Sequence, residues 1–216
     1  MALATPSLSM SYFSDLCQAD MHPAVLVDIL SELEHNAQID TNTLNPETLK
    51  LLSTFYTVYL LCLVHDRDLN EARFLTQRIP TAILADAQLS NAVSLLRALY
   101  TRNYPAVYVA LESPKWSDLV KPLCKRFQDD FRKMTFQLLS RAYTSITPES
   151  AAFYLGLVAA PDGEMVKALV AGGWEYDSAA GLLKPSVKYE RDVSGSTRKD
   201  ERIGRLTALV THLGEA

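Results

Sequence analysis

The fold is decided by residues 143–187, which read YTSITPESAAFYLGLVAAPDGEMVKALVAGGWEYDSAAGLLKPSV. Thr147 can cap a helix that begins at Pro148, because its hydroxyl accepts from an unpaired backbone N–H and proline fits the first helical position. A loop punctuated by Pro161 precedes a second short helix, which Gly172 stops. The stretch therefore begins with a short extended piece and two helices.

A β-hairpin follows the second helix. Trp174 and Tyr176 alternate along the first strand, residues 178–181 form the turn, and Leu182 and Leu183 begin the returning strand. An extended piece, two short helices and a hairpin in this order predict a winged helix over the whole stretch. Such a module at the end of a helical region serves assembly more often than catalysis.

The chain before the winged helix carries the apolar period of amphipathic helices, so the fold is predicted to be mainly α. The strongest stripe contains Leu49, Leu52, Phe55, Tyr56, Tyr59, Leu60 and Leu63. Other stripes include Val25, Leu138 and, in the winged helix, Val170, all expected to be buried. Helices joined by short turns predict stacked antiparallel pairs, as in TPR-like or HEAT-like arrays. No repeat of fixed period is found, so residues 1–142 are interpreted as an irregular helical-repeat array.

Composition limits the classes of function. The chain has 216 residues, 48% of them hydrophobic, which is enough for a sizeable core. Its net charge of -4 argues against a dedicated polyanion binder.

The sequence also indicates where the protein is located. Three cysteines without CxxC spacing fit a reducing compartment and are expected to be small buried residues. No secretory signal is visible and the longest apolar run, residues 55–64, is about half a membrane span. We expect no membrane association and a location in the cytoplasm and nucleus.

The composition changes after Val187. Residues 188–201 are charged and rich in serine and glycine, which predicts a flexible linker. Residues 202–214 recover a helical period. Their apolar seam consists of Ile203, Leu206, Leu209, Val210 and Leu213. A helix with such a seam has to bury it. Two destinations are open: the protein's own body, or a helical bundle built with other chains.

Short motifs occur along the chain in a fixed order. They are NEARFL at residues 70–75, RIP at 78–80, AYTSI at 142–146, GW at 173–174 and RLT at 205–207. Together with the order of elements, this series resembles the PCI family, which is shared by the proteasome lid, the COP-nine signalosome and translation initiation factor three. The RIP and tail motifs favour the signalosome branch over the small lid subunit and the k subunit of the initiation factor.

The resemblance implies a role. The signalosome removes the ubiquitin-like protein Nedd8 from cullin–RING ubiquitin ligases, and its metalloprotease centre lies in another subunit. The PCI subunits form the scaffold, with winged helices side by side and C-terminal helices in one bundle. This chain would then be a non-catalytic scaffold subunit whose partners are other PCI subunits, foremost signalosome subunit three. The interaction residues that we hypothesise are Trp174, Tyr176, Leu182, Leu183, Ile203, Leu206, Leu209, Val210 and Leu213.

The residues themselves predict no catalytic group, cofactor or metal. The four histidines, His22, His35, His65 and His212, make no HxH or HExxH set, and no glycine-rich phosphate loop is present. His65 beside Asp66 is interpreted as a helix end. In the second helix of the winged helix Lys167 is the sole cation, which disfavours duplex recognition. A nucleic-acid adaptor, a role that some PCI proteins have, remains the alternative.

The first testable prediction concerns the tail seam. If the seam enters a shared bundle, each apolar side chain contributes roughly 1.5–3 kcal/mol by leaving water. A carboxylate there adds a desolvation cost of about a few kcal/mol. Leu206→Asp with Val210→Asp should therefore weaken co-purification with other PCI subunits, while the melting temperature of the free chain hardly changes. A melt lowered by many degrees together with intact assembly would mean that the helix docks on its own body.

Overall fold

The structure, a computed structural model, describes residues 10–18, 21–36, 45–157 and 162–185. The elements in chain order are α1 (Met10–Gln18), α2 (Pro23–Asn36), α3 (Pro46–His65), α4 (Leu69–Arg78), a 3-10 turn (Thr81–Ile83), α5 (Ala87–Tyr100), α6 (Tyr104–Leu111), α7 (Lys121–Ala142), α8 (Pro148–Leu155), α9 (Asp162–Ala171), β1 (Trp174–Asp177) and β2 (Leu182–Pro185). The mainly helical class is confirmed. The predicted linker and tail helix lie outside the described residues.

Helix α3 is the centre of the array. Every residue from Leu52 to Val64 is buried, and α2, α4, α5 and α7 pack around it. A helix that is apolar on all sides needs such surroundings to leave water. By length and composition α3 could also cross a membrane, but 72% of its apolar window is buried inside the protein, as in a core helix.

Polar caps set the helix boundaries. The predicted cap at Asp68 is confirmed, because its side chain accepts from the Glu71 N–H at 3.1 Å at the start of α4. Asp86 does the same for α5, and Asn103 for α6. Each cap satisfies a backbone donor that the first helical turn leaves unpaired. Helix α4 ends just before the sequence reaches Pro80, as a proline in the following turn demands.

The order of elements in the winged helix is confirmed. Thr147 caps α8 by accepting from the Ser150 N–H at 3.3 Å, and the hairpin has the predicted strands. Ile146 supplies the extended piece by pairing antiparallel with Leu183 of β2. One boundary differs: α9 already begins at Asp162, where the sequence predicted a loop.

Four residues of the predicted apolar stripes are exposed: Val25 by 45%, Leu138 by 51%, Val170 by 43% and Tyr100, at the end of α5, by 52%. Each of the first three directly adjoins a residue that is buried on the same helix, such as Leu139 beside Leu138 or Leu169 beside Val170. Consecutive helical residues point about 100° apart, so the contact face that buries one turns its neighbour outward. The apolar face of each of these helices is thus wider than the part of it that neighbouring elements cover.

Helix α7 belongs to two hydrophobic cores. Its first turns contribute Leu123, Phe127 and Phe131 to the large core of the array. Its last turns contribute Leu139 to a smaller core in the winged helix. The remaining members of the smaller core are Ile146, Ala151, Ala152, Leu155, Met165, Leu169, Trp174 and Leu183. One continuous helix therefore carries the winged helix on the array.

His65, the last residue of α3, is held against α7. Its Nε2 lies 3.0 Å from Asp130 Oδ2, and its ring packs edge-on against Phe127. Its Nδ1 is buried and has no hydrogen-bond partner among the described residues. Burial lowers the pKa of His65 below its usual 6.5, although the bond to Asp130 acts in the opposite direction. The ring is therefore neutral near pH 7 and donates to Asp130 through Nε2.

The second prediction follows from this lowered pKa. The unfolded chain binds a proton at His65 more readily than the folded protein does. The contribution of neutral His65 to the free energy of unfolding is therefore fully present above about pH 6.5. It is lost as the pH falls through the pKa of the folded protein. Denaturant unfolding between about pH 7.5 and pH 5 should show a smaller loss of stability for His65→Gln than for the wild type. Equal losses in the two proteins would contradict the assignment.

Candidate subunit-interaction site

A row of apolar side chains crosses the small sheet and ends at its edge. Ile146 pairs with Leu183 through two backbone hydrogen bonds of 2.9 Å, and Leu183 lies opposite Tyr176. Directly opposed residues share one face of a sheet. Ile146 and Leu183 are buried, but Tyr176 is 44% exposed. In the described part of the chain nothing pairs with the outer edge of β1.

The turn of the hairpin is rigid. The carboxylate of Asp177 accepts from the backbone N–H groups of Ala179 and Ala180, both at 3.2 Å. Its second oxygen lies 2.8 Å from the Lys184 ammonium across the strands. That ammonium, together with the turn N–H groups, holds the pKa of Asp177 below its usual range. The turn therefore fixes the register in which β1 presents its edge.

Trp174 anchors the hairpin to α7. Its ring stacks on Phe136 with centroids 4.8 Å apart, and its indole N–H donates to Ser140 Oγ at 2.8 Å. The Ser140 hydroxyl in turn donates to the carbonyl of Phe136 at 2.8 Å. A buried tryptophan with a satisfied N–H combines a large apolar contact with a directional one. This contact sets the position of β1 relative to the array.

The structure separates the four hypothesised strand residues into two pairs. Trp174 and Leu183 are buried, at 1% and 0% exposure, and hold the winged helix together. Tyr176 and Leu182 reach the surface, half-exposed or partly so. The five seam residues of the tail lie outside the described residues. Within the described structure, then, Tyr176 at the sheet edge is the hypothesised residue that offers the largest free apolar surface.

A second set of contacts joins α8 to the array. Arg132 of α7 donates to the Leu155 carbonyl at 3.2 Å and lies over the Tyr108 ring, 5.4 Å from its centroid. The Tyr108 hydroxyl donates to the Tyr154 carbonyl at 3.3 Å. Gly156 ends α8 with φ +66, and a Cβ there would lie 2.4 Å from the Tyr108 ring. The close approach of backbone to ring requires glycine.

Sequence reasoning missed this joint. Arg132 and Tyr108 have ordinary helical neighbours, and nothing local indicates that they meet. The signal that was available is Gly156, since a glycine directly after an apolar helical stretch is typical of a left-handed C-cap. Even so, the cap would not have identified its partner ring, because that contact joins α6 to α8.

The described residues of this site offer groups that suit surface recognition. In the described ranges no group of three or more histidine, cysteine or acidic side chains could hold a metal ion. The three cysteines are free and buried there, as the sequence predicted. What the geometry offers is a strand edge, an aromatic ring and a rigid turn. Strand edges and half-exposed aromatic rings are features of protein–protein interfaces.

A helical array that closes in a winged helix with an open strand edge defines a PCI-type assembly module. Comparison with known proteins makes the assignment more specific. The chain belongs to the CSN8/PSMD8/EIF3K family, whose pattern matches residues 50–193. That range includes all but the first turn of α3, the centre of the array, and the whole described winged helix.

Individual relatives cover most of the chain. A protein named COP9 signalosome complex subunit 8 from Emericella nidulans is 30% identical over 210 residues, which is 97% of this chain and 98% of the relative. The protein of that name from Arabidopsis thaliana is 35% identical over 73% of this chain and 78% of the relative. The one from Xenopus laevis is 32% identical over 71% and 76%. These names designate a subunit of a complex and not an enzyme.

The third prediction tests the joint between α8 and the array. Gly156→Ala places a side chain at positive φ, which costs about 1–2 kcal/mol. Displacing the Tyr108 ring costs about 1–3 kcal/mol more. Gly181→Ala is the matched control, because Gly181 has the same φ of +66 and no atom within 4 Å of the added Cβ. Denaturant unfolding should show a clearly larger loss for Gly156→Ala, and equal losses would mean that Tyr108 moves aside freely.

Proposed function

We propose that this protein is a scaffold subunit of the COP9 signalosome and supports removal of Nedd8 from cullin–RING ubiquitin ligases by holding other subunits in place. The relatives' names and their coverage of 97% and 73% of the chain support membership of that complex. The described residues support the manner of action, since they leave a strand edge and the Tyr176 ring open to a partner. The proteasome lid and initiation factor three, which share the family, are the less favoured settings.

The open edge of β1 carries the proposal. Ile146, Leu183 and Tyr176 form one row across the sheet. Ile146 and Leu183 are buried, and the Tyr176 ring is half-exposed. A strand from a neighbouring subunit that paired with β1 would continue the row and cover Tyr176. It would also satisfy the N–H and C=O groups at the free edge. The rigid Asp177 turn keeps the edge ready for pairing without a prior change of shape.

We assign the neighbouring subunit to the PCI class, with signalosome subunit three as the specific candidate. The tail seam from Ile203 to Leu213 would enter a helical bundle with the remaining subunits. The strand edge and the tail seam are separated in sequence by the polar residues 188–201, so we expect them to bind independently. We further assign the protein to the cytoplasm and nucleus, since its buried cysteines are free thiols that suit a reducing compartment.

A nucleic-acid adaptor is the competing function. A winged helix that binds duplex needs cations on its recognition helix and hairpin. In the part that the structure describes, Lys184 of the hairpin is already paired with Asp177, and the turn itself carries no cation. Lys167 alone remains on α9. Tight, salt-sensitive duplex binding in a low-salt shift assay would favour the adaptor and sink the scaffold proposal.

The fourth prediction changes the exposed ring. Tyr176→Asp should weaken binding to the neighbouring PCI subunit roughly tenfold or more, because a carboxylate would be buried where an aromatic anchor belongs. The melting temperature of the free chain should stay close to the wild-type value, since Tyr176 is half-exposed. The measurement is a titration of the labelled chain with purified subunit three, accompanied by a thermal melt.

Tyr100→Asp is the matched control. Tyr100 is 52% exposed and lies on α5 in the array, so the same change there should leave binding intact. Complexes that do assemble with Tyr176→Asp should remove Nedd8 at the normal rate per complex, because the chain contributes structure and not chemistry. A normal affinity for Tyr176→Asp, or a lowered rate in fully assembled complexes, would contradict the proposal.

A further inference from the structure

All three cysteines of the chain converge on one place. Cys17 of α1, Cys62 of α3 and Cys124 of α7 lie far apart in sequence but are buried in the same core, with exposures of 6%, 0% and 3%. Their three helices pack against one another. Neither the scaffold role nor the strand edge uses these thiols.

Two contacts independent of the thiols fix this arrangement. Phe13 of α1 meets Phe55 of α3 with ring centroids 6.0 Å apart. Cys17 lies one turn beyond Phe13 on the same face of α1, and Cys62 lies two turns beyond Phe55 on the same face of α3. Both cysteines therefore lie on the helix faces through which α1 and α3 meet.

The second contact fixes α1 relative to α7. Arg126 of α7 donates to the carbonyl of Met21 at 2.6 Å. Met21 comes four residues after Cys17, and Arg126 comes two residues after Cys124. The chain leaving α1 is thus tied to α7 within one turn of Cys124. Cys17 is the thiol that interacts electrostatically with both of the others.

The thiols are protonated and protected in the folded protein. Burial raises the pKa of Cys17 to about 11 and that of Cys124 to about 12, and it raises the pKa of Cys62 further. The proximity of Cys17 raises the pKa of both partners as well. Because the thiolate is the reactive form, reaction requires that α1 lift from the core. A nine-residue helix at the side of the core opens at lower cost than the central helix α3.

We propose that the three cysteines form a redox-sensitive lock, in which Cys17 forms a disulfide with Cys62 or Cys124 under oxidation and fastens α1 to the core. The disulfide thereby regulates how firmly α1 is held on the core, and the reduced protein folds without it. Reduction releases the bond and restores the separate thiols.

The oxidant is a peroxide, and the steps balance. When α1 lifts, the Cys17 sulfur attacks one oxygen of hydrogen peroxide and the O–O bond breaks. The products are a sulfenic acid on Cys17 and one molecule of water. While α1 is still lifted, Cys62 or Cys124 is in contact with water and loses its proton, and the resulting thiolate attacks the Cys17 sulfur. The S–O bond breaks, and a second water departs with the thiol proton. Two thiols have lost two electrons and two hydrogens, and the peroxide has become two waters.

The fifth prediction uses the full chain with hydrogen peroxide as the probe. After treatment, remaining thiols are alkylated in denaturant, and intact mass and peptide mapping locate the bonds. We expect one intramolecular disulfide that includes Cys17 and one alkylated thiol. The melting temperature should rise by roughly 5 °C or more and return to its starting value with dithiothreitol.

Single substitutions identify the pairing. Cys17→Ala should abolish the intramolecular bond, whereas Cys62→Ala and Cys124→Ala should each leave Cys17 paired with the remaining cysteine. Three alkylated thiols in the treated wild type, a bond between Cys62 and Cys124, or bonds only between molecules would each overturn the proposal. Peptide mapping of the wild type decides the question even if a variant folds poorly.

Discussion

Helix α7 supplies side chains to both hydrophobic cores, and the winged helix depends on that shared helix for its stability. The smaller core has nine buried residues, too few to stabilise an independent unit of this length. Leu139 completes it from α7, and Phe136 and Ser140 receive the Trp174 indole. The winged helix is thus folded on α7 and not merely attached to it. Changes that weaken the last turns of α7 should be felt at the hairpin.

The same dependence gives the strand edge a defined direction. Trp174 begins β1, so the stack on Phe136 places the strand at its first residue. At the other end of the winged helix, Arg132 holds the last carbonyl of α8, and the Tyr108 ring lies against Gly156. Because contacts at both ends lead back to the array, the edge that carries Tyr176 cannot rotate freely. A scaffold that joins subunits through strand edges needs this rigidity, since strand pairing is directional.

The interior of the array shows a different use of polar and reactive groups. His65 is kept neutral by burial and donates to Asp130, which ties the end of α3 to the middle of α7. The three thiols are kept protonated by the same core. Their chemistry is directed inward, to the packing of α1, α3 and α7.

Much of the fold followed from the sequence because its signals are local. Asp68 and Thr147 cap their helices through hydrogen bonds to residues three positions ahead, and Pro80 acts on its own turn. The hairpin from Trp174 to Leu183 shows the period of a strand over a few residues. The short motifs that led to the family are likewise contiguous. In each case the deciding interaction spans only a few positions, so the sequence alone contains it.

What the sequence could not determine depends on contacts between distant positions. The sequence proposed Trp174 and Leu183 as interaction residues together with Tyr176. Alternation of apolar residues predicts a strand but does not tell which of these residues the core covers. Only the tertiary structure decides that Phe136 covers Trp174 and that Tyr176 is left at the edge. The convergence of Cys17, Cys62 and Cys124 has the same origin. Long-range packing brings together residues whose sequence neighbours carry no trace of the meeting, and the functional surface is what that packing leaves uncovered.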